Sequence, residues 1–244
     1  LVCSTHSHEA PDTMGLWGPA LLGAVPLASG VDPVYLEALV DRLASIVVAA
    51  YRAARPATVR AARFDVPADW CRNDRKGGGK DDAGLALAFD APDGRRIATL
   101  ANFAAHPETL WEGNTLVSAD FPGAFRRRVR EAVPGVPLYF SGALGGMVTP
   151  NVPLSAGLEA RKAYKDRLGQ DLADVALAAL DGAPALADTT LAARTYPLAV
   201  PLDNARFRLM RALGILERET LLGRIKSEMN LVRIGPDVSI LTAP

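Results

Sequence analysis

Apolar residues recur at helical spacing in the stretch that follows Asp32-Pro33, and this is a strong helix signal. Asp32 suits the N-cap of a helix and Pro33 its first position. Pro56 stops the pattern, because proline lacks the backbone N–H that a helix interior needs. The apolar positions on this helix are Leu36, Leu39, Val40, Leu43, Ile46, Val47 and Ala50.

Shorter apolar runs predict strands. The turn residues Pro92-Asp93-Gly94 separate two of these runs, so we expect a hairpin there. A run at Leu1 to Thr5 predicts a buried strand that delivers its carboxyl end to a site. The other predicted strands are Ala57 to Val66, Gly84 to Asp90, Arg95 to Ala105, Pro137 to Ser141 and Val238 to Leu241.

Helical patterns at Phe121 to Val133 and at about Ala156 to Leu180 lie between the strands, and glycine-rich stretches predict loops at 6–30, 69–83 and 142–151. The interleaving of strands and helices, with a hairpin among them, predicts a mixed β-sheet flanked by helices. We therefore expect a fold of the α/β or α+β class, in a single domain.

Composition removes several function classes. The 244 residues hold 27 basic and 27 acidic side chains, so there is no excess of positive charge to attract nucleic acid. No apolar run approaches the roughly 20 residues that span a bilayer, so we expect no transmembrane segment. Cys3 and Cys71 lack the spacing of a zinc ribbon, and two separate buried thiols are favoured over a disulfide.

Three histidines occur in the chain, and each follows a predicted strand or lies in a loop. His6 and His8 are two residues apart, so on an extended backbone both rings point the same way. Neutral imidazoles suit zinc, with an open position left for a water molecule. The pair alone also fits two exposed or hydrogen-bonded histidines without a metal.

Four short motifs, in the same order, resemble those of the neutral/alkaline non-lysosomal ceramidases. The stretch from Ser4 to Pro11, STHSHEAP, is similar to the T-H-T-H-S-x-P motif of that family. NFAAHP, ending at Pro107, is similar to N-[WF]-x-x-H-P. NTLVSAD, ending at Asp120, is similar to N-x-L-I-S-x-D, and GGMVTPN, ending at Asn151, is similar to G-D-V-S-P-N.

The resemblance implies a zinc site and a set of catalytic residues. His6 and His106 fall on the two zinc-binding histidines of the family, and His8 falls on the neighbouring catalytic histidine. Thr149 stands at the active-site serine. An arginine of the preceding loop also contributes in the family, and Arg72 is the assigned match, with Arg75 as the alternative.

The chain departs from the family pattern at several positions. Met147 and Thr149 replace an acidic residue and a serine, while Glu9 and Asp12 stand where the ceramidases have small residues. Carboxylates near the metal would favour a cationic or polar substrate group over an acyl chain. Asp120 fits the N-cap of the following helix better than a catalytic role, and could also orient a ligand histidine as a neighbouring carboxylate.

The family completes its zinc shell with a glutamate and a tyrosine that follow a strand similar to the stretch from Val238 to Pro244. We therefore expect 1–244 to be part of a ceramidase-like catalytic domain, truncated at both ends, that retains zinc weakly. A secreted or periplasmic location is implied by the resemblance. The oligomeric state is left open.

The leading hypothesis is an enzyme of lipid metabolism, a Zn²⁺-dependent hydrolase that cleaves an N-acyl amide of the N-acylsphingosine type, and its partner is a small-molecule or lipid amide substrate. A second hypothesis keeps the metal but changes the substrate to another amide or ester. A third is a non-catalytic binding or structural domain that has lost the complete site.

Overall fold

The computed structural model describes residues 1–21, 25–215 and 220–243. The chain divides into two compact units. The first consists of Leu1–Ala10 and Arg55–Thr189, and the second of Pro11–Ala54 and Thr190–Pro244. The assignment of 1–244 to one partial catalytic domain stays a prediction. Residues 22–24 of the predicted 6–30 loop, and Pro244, lie outside the described residues.

The described elements, in chain order, are β1 (Ala20–Leu21), β2 (Val25–Pro26), α1 (Pro33–Arg52), β3 (Thr58–Asp65), β4 (Cys71–Asn73), β5 (Ala83–Asp90), β6 (Arg96–Phe103), α2 (Asp120–Ala132), β7 (Val136–Ser141), β8 (Val148–Pro150), α3 (Leu158–Asp181), β9 (Leu191–Pro201), α4 (Ala205–Ala212), β10 (Thr220–Leu221), β11 (Arg224–Ile234) and β12 (Val238–Thr242). A short 3₁₀ helix covers Trp111–Gly113.

A four-stranded sheet, in the order β3-β5-β6-β7, forms the centre of the first unit. Its first three strands are antiparallel neighbours, whereas β6 and β7 are parallel. The turn between β5 and β6 closes with a 2.8 Å bond from the Gly94 N–H to the Ala91 carbonyl. Gly94 has a φ of 81°, which glycine adopts without strain. The predicted hairpin and the mixed α/β fold are confirmed.

Two helices pack on this sheet and on each other: α3 contacts β3 and β5, and α2 contacts β7. The core between these layers includes Phe103, Phe121 and Tyr139, whose rings meet edge to face. The two helices approach closely at Gly169, where a Cβ would meet the backbone carbonyl of Phe121. The sheet and helices therefore make a dense support for whatever follows β6.

The path β6–α2–β7 is a parallel crossover, so the carboxyl ends of β6 and β7 lie at the same edge of the sheet. A second pairing, between β4 and β8, joins the two regions predicted as loops at 69–83 and 142–151. These loop predictions were wrong at Cys71–Asn73 and Val148–Pro150. Three residues on each strand are too few to leave a periodic signal.

The second unit contains the antiparallel strands β9, β11 and β12, with β10 pairing at one end of β11. Its helix α1 begins as predicted, because the Asp32 carboxylate accepts hydrogen bonds from the N–H groups of Val34 and Tyr35. The final strand is confirmed at Val238–Thr242.

The predicted strand at Leu1 to Thr5 is wrong, since within the described residues this segment pairs with no strand. The Ser141 hydroxyl donates a hydrogen bond to its Thr5 carbonyl instead, and most of its residues are exposed. The two cysteines are separate thiols, as expected. Cys71 is buried, and burial raises the pKa of its thiol to about 12, while Cys3 is only half-buried.

Candidate metal centre

The three histidines converge on one point. One nitrogen from each of His6, His8 and His106 lies within 4.8 Å of the nitrogens of the other two. The ring centroids are 5.2 Å apart for His6 and His8, 5.2 Å for His6 and His106, and 5.6 Å for His8 and His106. The structure thus brings together residues about 100 positions apart in the sequence.

His106 lies three residues beyond the end of β6, and its orientation is fixed by a single carbonyl. The Val148 oxygen accepts a 2.9 Å bond from the His106 backbone N–H. The same oxygen lies 2.7 Å from Nδ1 of the ring. A carbonyl oxygen can only accept a hydrogen bond, so the proton is on Nδ1. Nε2 therefore carries no proton, and its lone pair is free to bind a metal ion. This arrangement is typical of a metal-binding histidine.

His8 is held by the residues directly after His106. Its backbone N–H donates to the Pro107 carbonyl at 3.0 Å. Its Nδ1 lies 3.0 Å from a carboxylate oxygen of Glu108. This hydrogen bond raises the pKa of His8. Sequence reasoning missed Glu108, whose one signal was a carboxylate two residues beyond a motif histidine.

His6 has a φ of 65°, in the left-handed region that few non-glycine residues adopt. Its segment is tied to the sheet by the Ser141 hydroxyl, which donates to the Thr5 carbonyl at 2.8 Å. The Ser7 hydroxyl donates to the Ser118 carbonyl at 2.9 Å. Burial and the neighbouring histidines lower the pKa of His6, which favours the neutral imidazole that a metal requires.

Two carboxyl groups, Glu9 and Asp120, lie next to this cluster and share a hydrogen bond. Burial and the Asp120 charge raise the pKa of Glu9 to about 8. Burial also raises the pKa of Asp120. Each carboxyl group thus lies where ionisation is opposed, by burial for both and by the Asp120 charge for Glu9.

The structure corrects the expected roles of Asp120. Ala119 takes the N-cap position of α2, and Asp120 is the first helical residue. Its carboxylate accepts bonds from the N–H and the hydroxyl of Thr109, at 2.8 and 2.7 Å. It is therefore occupied by backbone and threonine, while Glu108 and the Val148 carbonyl orient the histidines.

Thr149 is buried in β8, and its hydroxyl makes no hydrogen bond of good geometry among the described residues. The Thr149 hydroxyl lies beside Glu108 and helps, with His8, to lower the pKa of that carboxyl against the opposing effect of burial. A buried hydroxyl whose hydrogen bond is poorly formed can turn towards a ligand that approaches it.

Arg72 lies directly opposite Thr149 in the β4–β8 pair. Its guanidinium donates to Asp74 at 2.8 Å and to the carbonyls of Pro150 and Val152 at 3.0 and 3.2 Å. The side chain of Arg75 is exposed. Arg72 is thus next to the site but bound within the protein, and its assignment stays a prediction.

Two residues that depart from the family pattern, Asp12 and Met147, differ in their surroundings. The Asp12 carboxylate accepts bonds from the N–H groups of Met14, Gly15 and Trp17, at 2.7, 2.9 and 2.8 Å, so it stabilises its own loop. Met147 is 44% exposed and has a φ of 69°.

Comparison with solved structures identifies the architecture. A neutral ceramidase from Pseudomonas aeruginosa superposes with a TM-score of 0.66 over 85% of this chain, at 17% identity. The chain has the ceramidase fold. A structure described as ceramidase complexed with C2 superposes with a TM-score of 0.60 over 78% of the chain, at 14% identity.

The chain spans 43% and 42% of those two ceramidase structures. No family model matches the chain, and no curated protein is detectably similar to it in sequence. The resemblance that the four motifs suggested is therefore confirmed for the fold. In the described part of the chain, no helix is long and apolar enough to cross a membrane.

Proposed function

We propose that this chain carries the histidine cluster of a zinc-dependent hydrolase that cleaves N-acyl amide bonds in ceramide-like lipids. The observation that carries the proposal is the meeting of His6, His8 and His106 within 4.8 Å. The ceramidase fold adds to it, because the cluster occurs within the motifs that resemble that family.

The donor set fits zinc. His6 and His106 would hold the metal, the latter through the Nε2 atom that its bond to Val148 leaves free. When bound there, zinc would polarise an acyl carbonyl and make water easier to deprotonate.

The chain's own residues supply the other parts of the chemistry. His8 moves a proton between water and the departing amine, through the ring nitrogen that does not face Glu108. Thr149, whose hydroxyl has no well-formed hydrogen bond, turns it from the side of Glu108 to donate to the substrate carbonyl or the water. Arg72 stabilises the wall beside Thr149 through its three contacts.

Replacement of His8 tests the proposal. We expect His8→Ala to abolish hydrolysis of an N-acyl amide while zinc content, measured by metal analysis of the purified protein, is unchanged. Glu112→Ala is the control, because Glu112 is exposed in the nearby 3₁₀ helix. Loss of zinc together with turnover would make His8 a ligand. A zinc-loaded protein that hydrolyses no acyl amide would refute the proposal.

A second candidate is a zinc hydrolase of another amide or ester with a cationic or polar group. The Glu9–Asp120 pair favours it, because both carboxyl groups act on His8 as negative charges and raise its pKa. Rates on matched acyl amides and esters, with and without an amino group, separate the two. The double variant Glu9→Gln with Asp120→Asn, which removes both carboxyl groups, should lose any preference for the amino group.

A further inference from the structure

The contact between His8 and Glu108 joins two side chains of very different exposure. The His8 side chain is 46% exposed, whereas the Glu108 side chain is 14% exposed, and their atoms are 3.0 Å apart. A carboxylate removed from water needs a hydrogen-bond donor, and the imidazole N–H provides one. Glu108 is therefore the buried partner of this pair, and the His8 ring is the partner that solvent or a substrate can reach.

The backbone holds Glu108 in this position. Its N–H donates to the His106 carbonyl at 2.9 Å, and the Pro107 carbonyl between them accepts the His8 N–H at 3.0 Å. Residue 8 is thus bound twice to the same turn, once through the backbone and once through its ring. This double attachment fixes the ring plane as well as the position of its backbone.

Other carboxylates of the site are committed elsewhere. Asp120 accepts from Thr109 and Phe121, and Glu9 is paired with Asp120. The Val148 carbonyl accepts the hydrogen bond of the His106 ring. Glu108 is the carboxylate that contacts a histidine of the cluster within the described ion pairs.

We propose that Glu108 is a positioning residue, which holds His8 as the Nδ1–H tautomer so that Nε2 is free to accept a proton. The catalytic part of this inference rests on the proposed function. Nε2 takes a proton from the attacking water and returns it to the amine nitrogen as the C–N bond breaks. Glu108 stays ionised and stabilises the imidazolium between these steps, as carboxylates paired with catalytic histidines do.

The tautomer can be observed without activity. The chain has only three histidines, so a two-dimensional ¹H–¹⁵N spectrum of the imidazoles resolves each ring. We measure it on the metal-free protein at about pH 8.5, well above the ordinary imidazole pKa of about 6.5. In the parent protein we expect both His8 and His106 to carry the proton on Nδ1.

Three variants separate the cases. Glu108→Ala should shift His8 towards the Nε2–H form while leaving His106 unchanged. Glu108→Gln should keep the Nδ1–H form, because the amide oxygen still accepts the bond. Glu112→Ala is the matched control and should change neither ring. An unchanged His8 pattern in folded Glu108→Ala would overturn the inference.

Kinetics test the catalytic part. Glu108→Ala should lower kcat about 10–100-fold, the usual effect of losing a partner that orients a functional histidine. KM and zinc affinity should be unchanged. The kcat of Glu108→Gln should lie between those of the parent protein and Glu108→Ala. A parallel loss of zinc would overturn the inference, since Glu108 would then act through metal binding. A tautomer shift in a protein with no hydrolase activity would support the placement of Glu108 and refute the proposed function alone.

Discussion

Two stretches of chain build the histidine cluster, and they are supported very differently. Residues 103–108 continue from a central strand, and His106 is buried with two bonds to Val148. Residues 4–9 belong to no described strand, and both of their histidine rings are exposed. The first stretch is positioned by the core, while the second is docked onto it by individual hydrogen bonds.

This difference shows what fixes the orientation of each histidine in the cluster. A ligand on the end of a packed strand is oriented before any metal arrives, because the core fixes its backbone. A ligand on a docked segment depends on each contact that attaches it. Removing the histidine proposed to hold the metal from the first stretch should therefore change stability and metal binding together, whereas removing the one from the second stretch should change metal binding alone.

Removing either histidine that we propose to hold zinc should have the largest effect. We expect His106→Ala and His6→Ala each to weaken zinc binding by more than about 100-fold, beyond the range typical of lost ligand partners. Only His106→Ala should also lower the free energy of unfolding, because it removes a buried hydrogen bond. Zinc titration and urea unfolding measure both. Equal free energies of unfolding for the two variants would contradict the difference in support between residues 103–108 and residues 4–9.

The core under the first stretch should respond next most strongly. Phe103 is 1% exposed, and Phe103→Ala should lower the free energy of unfolding by about 3–5 kcal/mol. Leu85→Ala on the neighbouring strand is the control, since Leu85 is 48% exposed and should change stability little. A loss below about 1 kcal/mol for Phe103→Ala, on the scale of an exposed site, would contradict a core-fixed His106.

Acid should weaken the same sheet through Asp90. Burial opposes its ionisation, but bonds from Arg96 and Arg60 lower the pKa of this carboxyl overall. Its stabilisation is therefore complete above the ordinary aspartate pKa of about 3.9 and is lost as pH falls through the lowered folded-state value. Asp90→Asn should cost about 1.5–3 kcal/mol at pH 7 and less at acid pH.

Urea unfolding of parent and variant between neutral and acid pH measures this dependence. Asp65→Asn serves as the control, because Asp65 is exposed at the end of β3. If the gap between parent and Asp90→Asn widened as pH fell, the assigned direction of the Asp90 shift would be wrong.

Loosening the docked stretch should have the smallest effect. Ser141→Ala removes the bond to the Thr5 carbonyl, which should weaken the attachment of residues 4–9 to the sheet, rather than the folding of the sheet itself, by about 0.5–1.5 kcal/mol. We expect zinc affinity to fall by up to about tenfold, with little change in unfolding by urea. Ser155→Ala, at an exposed position, should change neither. A drop in stability without a change in zinc affinity would show that residue 5 is not part of the docking.

Much of the fold could be predicted because its signals are local. The Asp32 cap, the turn at Gly94 and the long helix α3 each depend on residues within a few positions of one another. The short strands β4 and β8 could not be predicted, since each is stabilised by a partner more than 70 residues away.

The histidines of the candidate site were identified from the sequence, but the groups that orient them were not. His6, His8 and His106 were identified through motif resemblance, and the structure brings them together. The sequence reasoning favoured Asp120 as a helix cap and allowed it an orienting role as an alternative, whereas Glu108 and the Val148 carbonyl make the contacts with the histidines. A carboxylate in a sequence does not show which ring it faces.

The sequence by itself determined the residue types of the cluster, the order of the longer helices and strands, and the absence of a strong net charge. Tertiary structure alone decided that residues 1–5 form no strand, that Ser141 binds the Thr5 carbonyl, and that Glu108 faces His8. The physical reason is separation along the chain. Local patterns encode backbone propensity, but a hydrogen bond between residues 100 positions apart exists only once the sheet has placed both ends of it.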